Sequence, residues 1–219
     1  MKIEMRNKII ETIEKTKLIV IVRNVRKEQL MPMTEAIYRG GARLIEFTYS
    51  SKTMDGDADT ADWIGRIARA FEGRMFVGAG TVINVDQVEK THAAGGCFII
   101  SPNTDPAVIR RTKELGMVSI PGALTPTEIV AADHAGADFV KLFPVTSMGP
   151  EYVKAVKAPL SHIKLLAVGG VDEKNIAEYQ KAGACGFGIG SNIVNKKMIE
   201  AGEFDKITEL AKEFLSALN

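Results

Sequence analysis

Cysteine is scarce in this chain, neither sign of charge dominates, and no apolar run is long enough to cross a membrane. The two cysteines, Cys97 and Cys185, have neither CxxC spacing nor a histidine at ligand spacing. They read as small buried thiols in a reducing compartment rather than as metal ligands. The three histidines, His92, His134 and His162, are scattered and take no role, so no metal site is expected. A formal charge of +1, from 28 basic and 27 acidic side chains spread along the chain, argues against a nucleic-acid partner. The segment Met1 to Lys17 is charged and helix-patterned through Ile3, Ile9, Ile10 and Ile13. It has no apolar signal-peptide core, which points to the cytoplasm without membrane association.

What is present is the composition of an ordinary globular protein, 46% hydrophobic and 25% charged over 219 residues. Eight β-type runs recur, at 18–22, 43–48, 74–77, 97–101, 117–120, 138–143, 163–167 and 185–189. Helix-patterned segments separate them at 27–39, 60–71, 85–94, 106–115, 126–134, 150–157 and 175–182, and a last one covers 204–218. Asp105-Pro106 and Thr125-Pro126 read as N-caps followed by proline, and Gly95, Gly116, Gly136 and Gly183 as C-terminal glycines.

Eight βα units in one chain predict a (β/α)8 TIM barrel, residues 1–219 forming one domain with an additional N-terminal helix over 1–17. A doubly wound sheet requires a glycine-rich turn after the first strand, whereas this strand ends in Arg23-Asn24-Val25. In a barrel the strand ends carry the chemistry. Here they are Arg23, Glu46, Thr81, Ser101, Pro121, Lys141, Gly169 with Gly170, and Gly190 with Ser191.

Lys141 stands out, an ammonium within Asp138-Phe139-Val140-Lys141-Leu142-Phe143-Pro144. Burial disfavours the charged form of a lysine and leaves an amine able to attack a carbonyl. A snorkelling lysine at a strand end reads the same way in sequence. Glu46, in Leu44-Ile45-Glu46-Phe47-Thr48, is its natural proton partner, or else half of an ion pair. Gly78-Ala79-Gly80-Thr81 reads as a strand end near a ligand or as a tight turn with Thr81 capping the next helix. The glycines at 169–170 and 188–190 occupy the two loops that form the usual phosphate cradle of the barrel, with amides at a helix N-terminus, and read equally as ordinary turns. Arg23 suits a carboxylate or phosphate, or pairs with Glu46. The aspartates of the loop 49–59 lack the glutamate of a calcium loop, so that segment reads as solvated, ending in a capping Asp59 or Thr60.

In order and spacing, several segments resemble the class I 2-keto-3-deoxy-6-phosphogluconate and 4-hydroxy-2-oxoglutarate aldolases nearly end to end. They include Ile19-Val20-Ile21-Val22-Arg23, Ile45-Glu46-Phe47-Thr48, Val77-Gly78-Ala79-Gly80-Thr81-Val82, Ile99-Ile100-Ser101-Pro102, Lys141-Leu142-Phe143-Pro144 and Gly169-Gly170-Val171. The resemblance implies a cofactor-free, metal-free homotrimer acting on a keto acid and releasing pyruvate. It makes Lys141 the Schiff-base lysine and Glu46 the general acid/base. Arg23, Thr81, Pro102, Phe143, Val168, Gly169, Gly170, Gly190 and Ser191 become substrate-site residues.

Two departures matter. Ala167-Val168 stands where gluconate-specific members have Pro-Thr, which looks like the 6-phosphogalactonate branch, and Ser50 stands where many carry arginine. The loop after Tyr49 is also longer than usual. The expected reaction is cleavage of a 2-keto-3-deoxy-6-phospho sugar acid to pyruvate and glyceraldehyde 3-phosphate. The alternatives are a 4-hydroxy-2-oxoglutarate aldolase yielding glyoxylate, a non-catalytic phosphosugar-binding barrel, and an isomerase using Glu46 without a covalent intermediate.

Overall fold

A computed structural model describes residues 2–49 and 55–218. The strands are β1 (Leu18–Val22), β2 (Leu44–Thr48), β3 (Phe76–Gly80), β4 (Phe98–Ile100), β5 (Val118–Ile120), β6 (Gly122–Ala123), β7 (Val140–Leu142), β8 (Leu165–Val168) and β9 (Gly186–Ile189). The helices are α1 (Lys2–Thr16), α2 (Leu30–Arg39), α3 (Asp55–Ala70), α4 (Val85–Ala93), α5 (Pro106–Glu114), α6 (Pro126–His134), α7 (Gly149–Lys157), α8 (Ile176–Lys181), α9 (Lys196–Glu200) and α10 (Phe204–Ala217), with a 3-10 turn at Lys27–Gln29.

All strand pairs are parallel, in the order β5-β4-β3-β2-β1-β9-β8-β7-β6. The pairing of β1 with β9 closes the sheet, and the ends of that order are continuous in the chain through Pro121. The expected fifth strand, 117–120, appears as β5, and beyond Pro121, which has no N–H for the ladder, the short β6 is an unexpected ninth strand. β5 pairs with β4 and β6 with β7, and the Pro121 carbonyl still accepts from Lys141 N at 2.8 Å. The result is the expected β/α barrel.

Alternation along the strands sorts side chains between barrel interior and outer layer. Val20, Val22, Ile45 and Phe47 pack outward against helices, as do Val140 and Leu142. Ile19, Leu44, Phe98, Val118, Phe139 and Leu166 fill the interior. Ile9 and Ile13 of α1, one helical turn apart, join this inner cluster, so the N-terminal helix plugs the barrel. Burying two isoleucines contributes about 3–6 kcal/mol by area transfer, an upper bound. Asp138 secures the plug: its carboxylate accepts from Arg6 of α1, from Lys113 at 2.6 Å and from Ser119 N at 2.9 Å. Among the described residues, no helix is long and apolar enough to cross a membrane.

Some boundaries differ from expectation. The third strand runs to Gly80 because its inward glycines give space to neighbours: a Cβ at Gly78 would lie 2.4 Å from the Phe98 ring. The helix expected from Thr60 begins at Asp55, so Asp59 and Thr60 lie inside it rather than capping it. Residues 50–54 of the long loop, including Ser50, fall outside the described residues. Asn84, accepting from Gln87 N at 2.9 Å, caps α4 in place of Thr81. Asp105 and Thr125 cap α5 and α6 as their sequences imply.

Candidate active site

Glu46 sits at the centre of β2, with Ile45 and Phe47 turned outward and its own carboxyl turned into the barrel. Lys141 is the central residue of β7, held by ladder bonds, and it also points inward. The two are 1% and 2% exposed, so Lys141 does not snorkel to solvent. Both border a void of about 10 Å³ whose other walls are mostly apolar, including Ile19, Ile100, Ile120 and Leu166. That is the scale of a single water molecule.

Among the described residues no hydrogen bond reaches either oxygen of Glu46. Arg23 therefore does not fork onto it, and Lys141 is a neighbour acting through the field rather than a hydrogen-bonded ion-pair partner. Desolvation raises the Glu46 pKa above the ordinary carboxylate value, opposed by the positive fields of Lys141 and Arg23. Burial lowers the Lys141 pKa; Glu46 opposes that shift and Arg23 adds to it. Both groups are thus pushed toward their neutral forms. The Lys141 Nζ lies 4.5 Å from the Phe143 ring centroid, over an aromatic face that favours its cationic form.

Above this pair a cavity of about 800 Å³ opens at the C-terminal ends of β1, β7, β8 and β9. Arg23, Phe143, Val168, Gly169, Gly170, Gly190 and Ser191 all line it. Gly169 and Gly170 adopt φ of 90° and 79°, a region open to glycine. Their loop is held by Asn175, whose Nδ2 donates to Gly170 O at 2.9 Å. The expected helix N-termini are not at these loops. Helix α8 starts at Ile176, and Gly190 opens only a single turn, with Val194 N donating to Gly190 O at 2.8 Å.

Thr81 and Pro102 follow β3 and β4 and do not line this cavity. Thr81 carries a positive φ of 58°, and a Cβ on Gly122 would lie 2.4 Å from the Pro102 carbonyl. Sequence reasoning passed over Asn24, Arg26, Gln29 and Lys196, which also line the mouth. The available signal was position, since each lies a few residues past a strand end, where a barrel carries its site.

A family model described as KDPG and KHG aldolase matches residues 9–210. The chain belongs to that family. A probable 2-dehydro-3-deoxy-6-phosphogalactonate aldolase of Rhizobium meliloti is 37% identical over 182 residues, covering 83% of each chain. The 2-dehydro-3-deoxy-6-phosphogalactonate aldolase of Escherichia coli is 36% identical over 180 residues, covering 82% of this chain and 85% of its own.

Solved members of the KDPG and KHG aldolase family share the barrel. A native KDPGal structure superposes with a TM-score of 0.82 at 33% identity, over 92% of this chain and 93% of that one. The KDPG aldolase of Legionella pneumophila, solved with pyruvate captured at low pH as a covalent carbinolamine intermediate, gives 0.81 at 25% identity, over 93% and 96%. As a member of this family the chain is an aldolase, a lyase.

Proposed function

We propose that this aldolase works through a Schiff base on Lys141 and cleaves a 2-keto-3-deoxy-6-phospho sugar acid of the galactonate type to pyruvate and glyceraldehyde 3-phosphate. The observation that carries the reading is the pairing of an interior lysine of lowered pKa with an interior carboxyl that has no hydrogen-bond partner, beneath an open cavity. A buried carboxyl without partners is costly, and such groups cluster where substrate completes the network.

In this reading the neutral Lys141 amine attacks the C2 ketone to give a carbinolamine. Protonated Glu46 delivers a proton to the departing hydroxyl, so water leaves and an iminium forms. The Glu46 carboxylate then takes the C4 hydroxyl proton as C3–C4 breaks. The bonding electrons pass into the iminium to give an enamine, and the aldehyde departs. Protonation at C3 and hydrolysis of the new iminium release pyruvate and restore the amine. Opposite pKa shifts suit the two groups to these proton transfers. The phosphate rests in the loops of Gly169, Gly170, Gly190 and Ser191, while Arg23 and Phe143 contact the remainder of the acid.

Val168 supports the galactonate assignment. It lines the cavity where a threonine hydroxyl would otherwise meet the C4 oxygen, and the two relatives above are named for that acid. A homotrimer is part of the same proposal, supported by exposed apolar Ile83 and Val85 beyond β3, and light scattering measures it.

The test is borohydride reduction in the presence of pyruvate, followed by peptide mapping, together with pyruvate release from both C4 epimers. A three-carbon adduct on Lys141 and faster cleavage of the galactonate-type acid are expected. Labelling elsewhere, or turnover that survives Lys141→Ala, sinks the proposal.

A further inference from the structure

The mouth cavity carries more positive charge than the family motifs account for. Among the described residues three cations line it, Arg23, Arg26 and Lys196, against one acid, Glu200. Arg26 follows β1 and Lys196 opens α9, so they reach the mouth from chain segments 170 residues apart. A specific bond brings these segments together: Gln29 Nε2 donates to Ile199 O at 3.2 Å, tying the 3-10 turn after β1 to α9. Arg26 and Lys196 each stand three residues before one of the bonded residues, and both line the cavity that these segments border.

Neither charge is held tightly among the described residues. Lys196 faces Glu200 at 3.7 Å with 80% of its side chain exposed, a pair weak enough to exchange for a dianion. Arg26 has no ion pair among the described residues. Arg6 and Lys113, by contrast, share the buried Asp138 carboxylate.

We propose that Arg26 and Lys196 are a cationic clamp on the solvent side of the cavity that grips the terminal phosphate, adding side-chain charge to the backbone loops and setting the preference for phosphorylated over unphosphorylated keto acids. The proposal rests on the aldolase reading above. With C2 bound at Lys141 in the barrel interior, the substrate runs several bonds outward, and its dianionic end arrives at this rim. A phosphate presents oxygens on all sides, so backbone amides on one side leave others for guanidinium and ammonium donors.

Arg26→Ala, Lys196→Ala and the double variant test this with a phosphorylated keto acid and its unphosphorylated counterpart. For the phosphorylated acid, KM rises about tenfold per substitution while kcat holds, because a remote contact contributes equally to ground and transition states. The unphosphorylated acid is unaffected, Arg26→Lys retains most of the affinity, and the salt dependence of kcat/KM flattens in the double variant. Equal rises in KM for both acids, or no rise for either, overturn the clamp.

A second arm does not depend on turnover: calorimetric titration with inorganic phosphate. Weaker binding by the double variant than by the native chain supports the clamp, and equal binding overturns it. A native chain that releases pyruvate while its variants stay unchanged defeats this inference alone. Absence of pyruvate release from every substrate defeats the aldolase reading, and the phosphate titration still decides the clamp.

Discussion

Gly80→Ala probes the catalytic arrangement without touching a reacting group. A Cβ at this position would lie 2.5 Å from Glu46 Oε1 and 2.7 Å from its Cδ, where ordinary contact begins at 3.4 Å. The carboxyl must therefore withdraw by about 0.9 Å, the difference between those distances. It cannot swing to solvent, since Glu46 is enclosed by the barrel wall. Overpacking of this kind costs about 1–3 kcal/mol. A domain with about 5–15 kcal/mol of stability survives that loss, with Tm falling by about 2–4 °C per kcal/mol.

The effect on rate is the larger one, because a misplacement of about 1 Å in a proton-transfer group costs about a hundredfold. The assay pairs pyruvate release with borohydride trapping and a thermal melt. The expected variant folds, still traps pyruvate on Lys141 at full stoichiometry, and turns over about a hundredfold more slowly. Native turnover with an unchanged melt would refute the reasoning, because Glu46 would then be neither displaced nor needed where it stands.

Val168→Thr restores a hydroxyl at the cavity wall. One hydrogen bond of about 1 kcal/mol should move the ratio of kcat/KM toward the gluconate-type epimer about fivefold, and an unmoved ratio removes Val168 as the discriminator. Burial pushes the thiols of Cys97 and Cys185 up to about 12 and about 11, and each Sγ is hydrogen-bonded to a carbonyl at 3.3 Å. Both should resist iodoacetamide at about pH 8 and react only in denaturant; rapid labelling of the native chain contradicts this. Hydrogen bonds from Thr125 and Leu124 hold Glu128 below its ordinary value of 4.5. Its contribution is complete above the unfolded pKa and fades as pH falls through the folded one, so Glu128→Gln should lower Tm at neutral pH with a gap that closes in acid. A gap independent of pH contradicts that linkage. Asp138→Asn leaves Arg6 and Lys113 without their shared anion and should cost about 3 kcal/mol in urea melts, with faster amide exchange in α1. Unchanged exchange there would show that the isoleucines alone hold the plug.

Local chemistry was legible in the sequence wherever a few neighbouring residues settle the outcome. The caps at Asp105 and Thr125 are short-range hydrogen bonds, and the apolar run of β1, buried at every position, reads as strand from any viewpoint. The repeated alternation of strand and helix was enough for the barrel, because right-handed parallel crossovers leave few other closures. Lys141 and Glu46 were conspicuous because charge inside apolar strands demands a reason. Gly78 and Gly80 read in sequence as a strand end near a ligand or as a tight turn, and only the Phe98 ring and the Glu46 carboxyl explain why β3 runs through them.

The sequence by itself therefore determined the alternation of strand and helix, the barrel, and the two ionisable groups that face its interior. Tertiary structure decided the matters that depend on distance between remote segments. Glu46 and Lys141 share a void without a hydrogen bond to the carboxyl among the described residues, the interior closes over α1 through Asp138, and Arg26 and Lys196 line one mouth cavity. Propensity and periodicity act over a few residues, whereas desolvation and charge–charge fields are set by which strands become neighbours when the sheet closes.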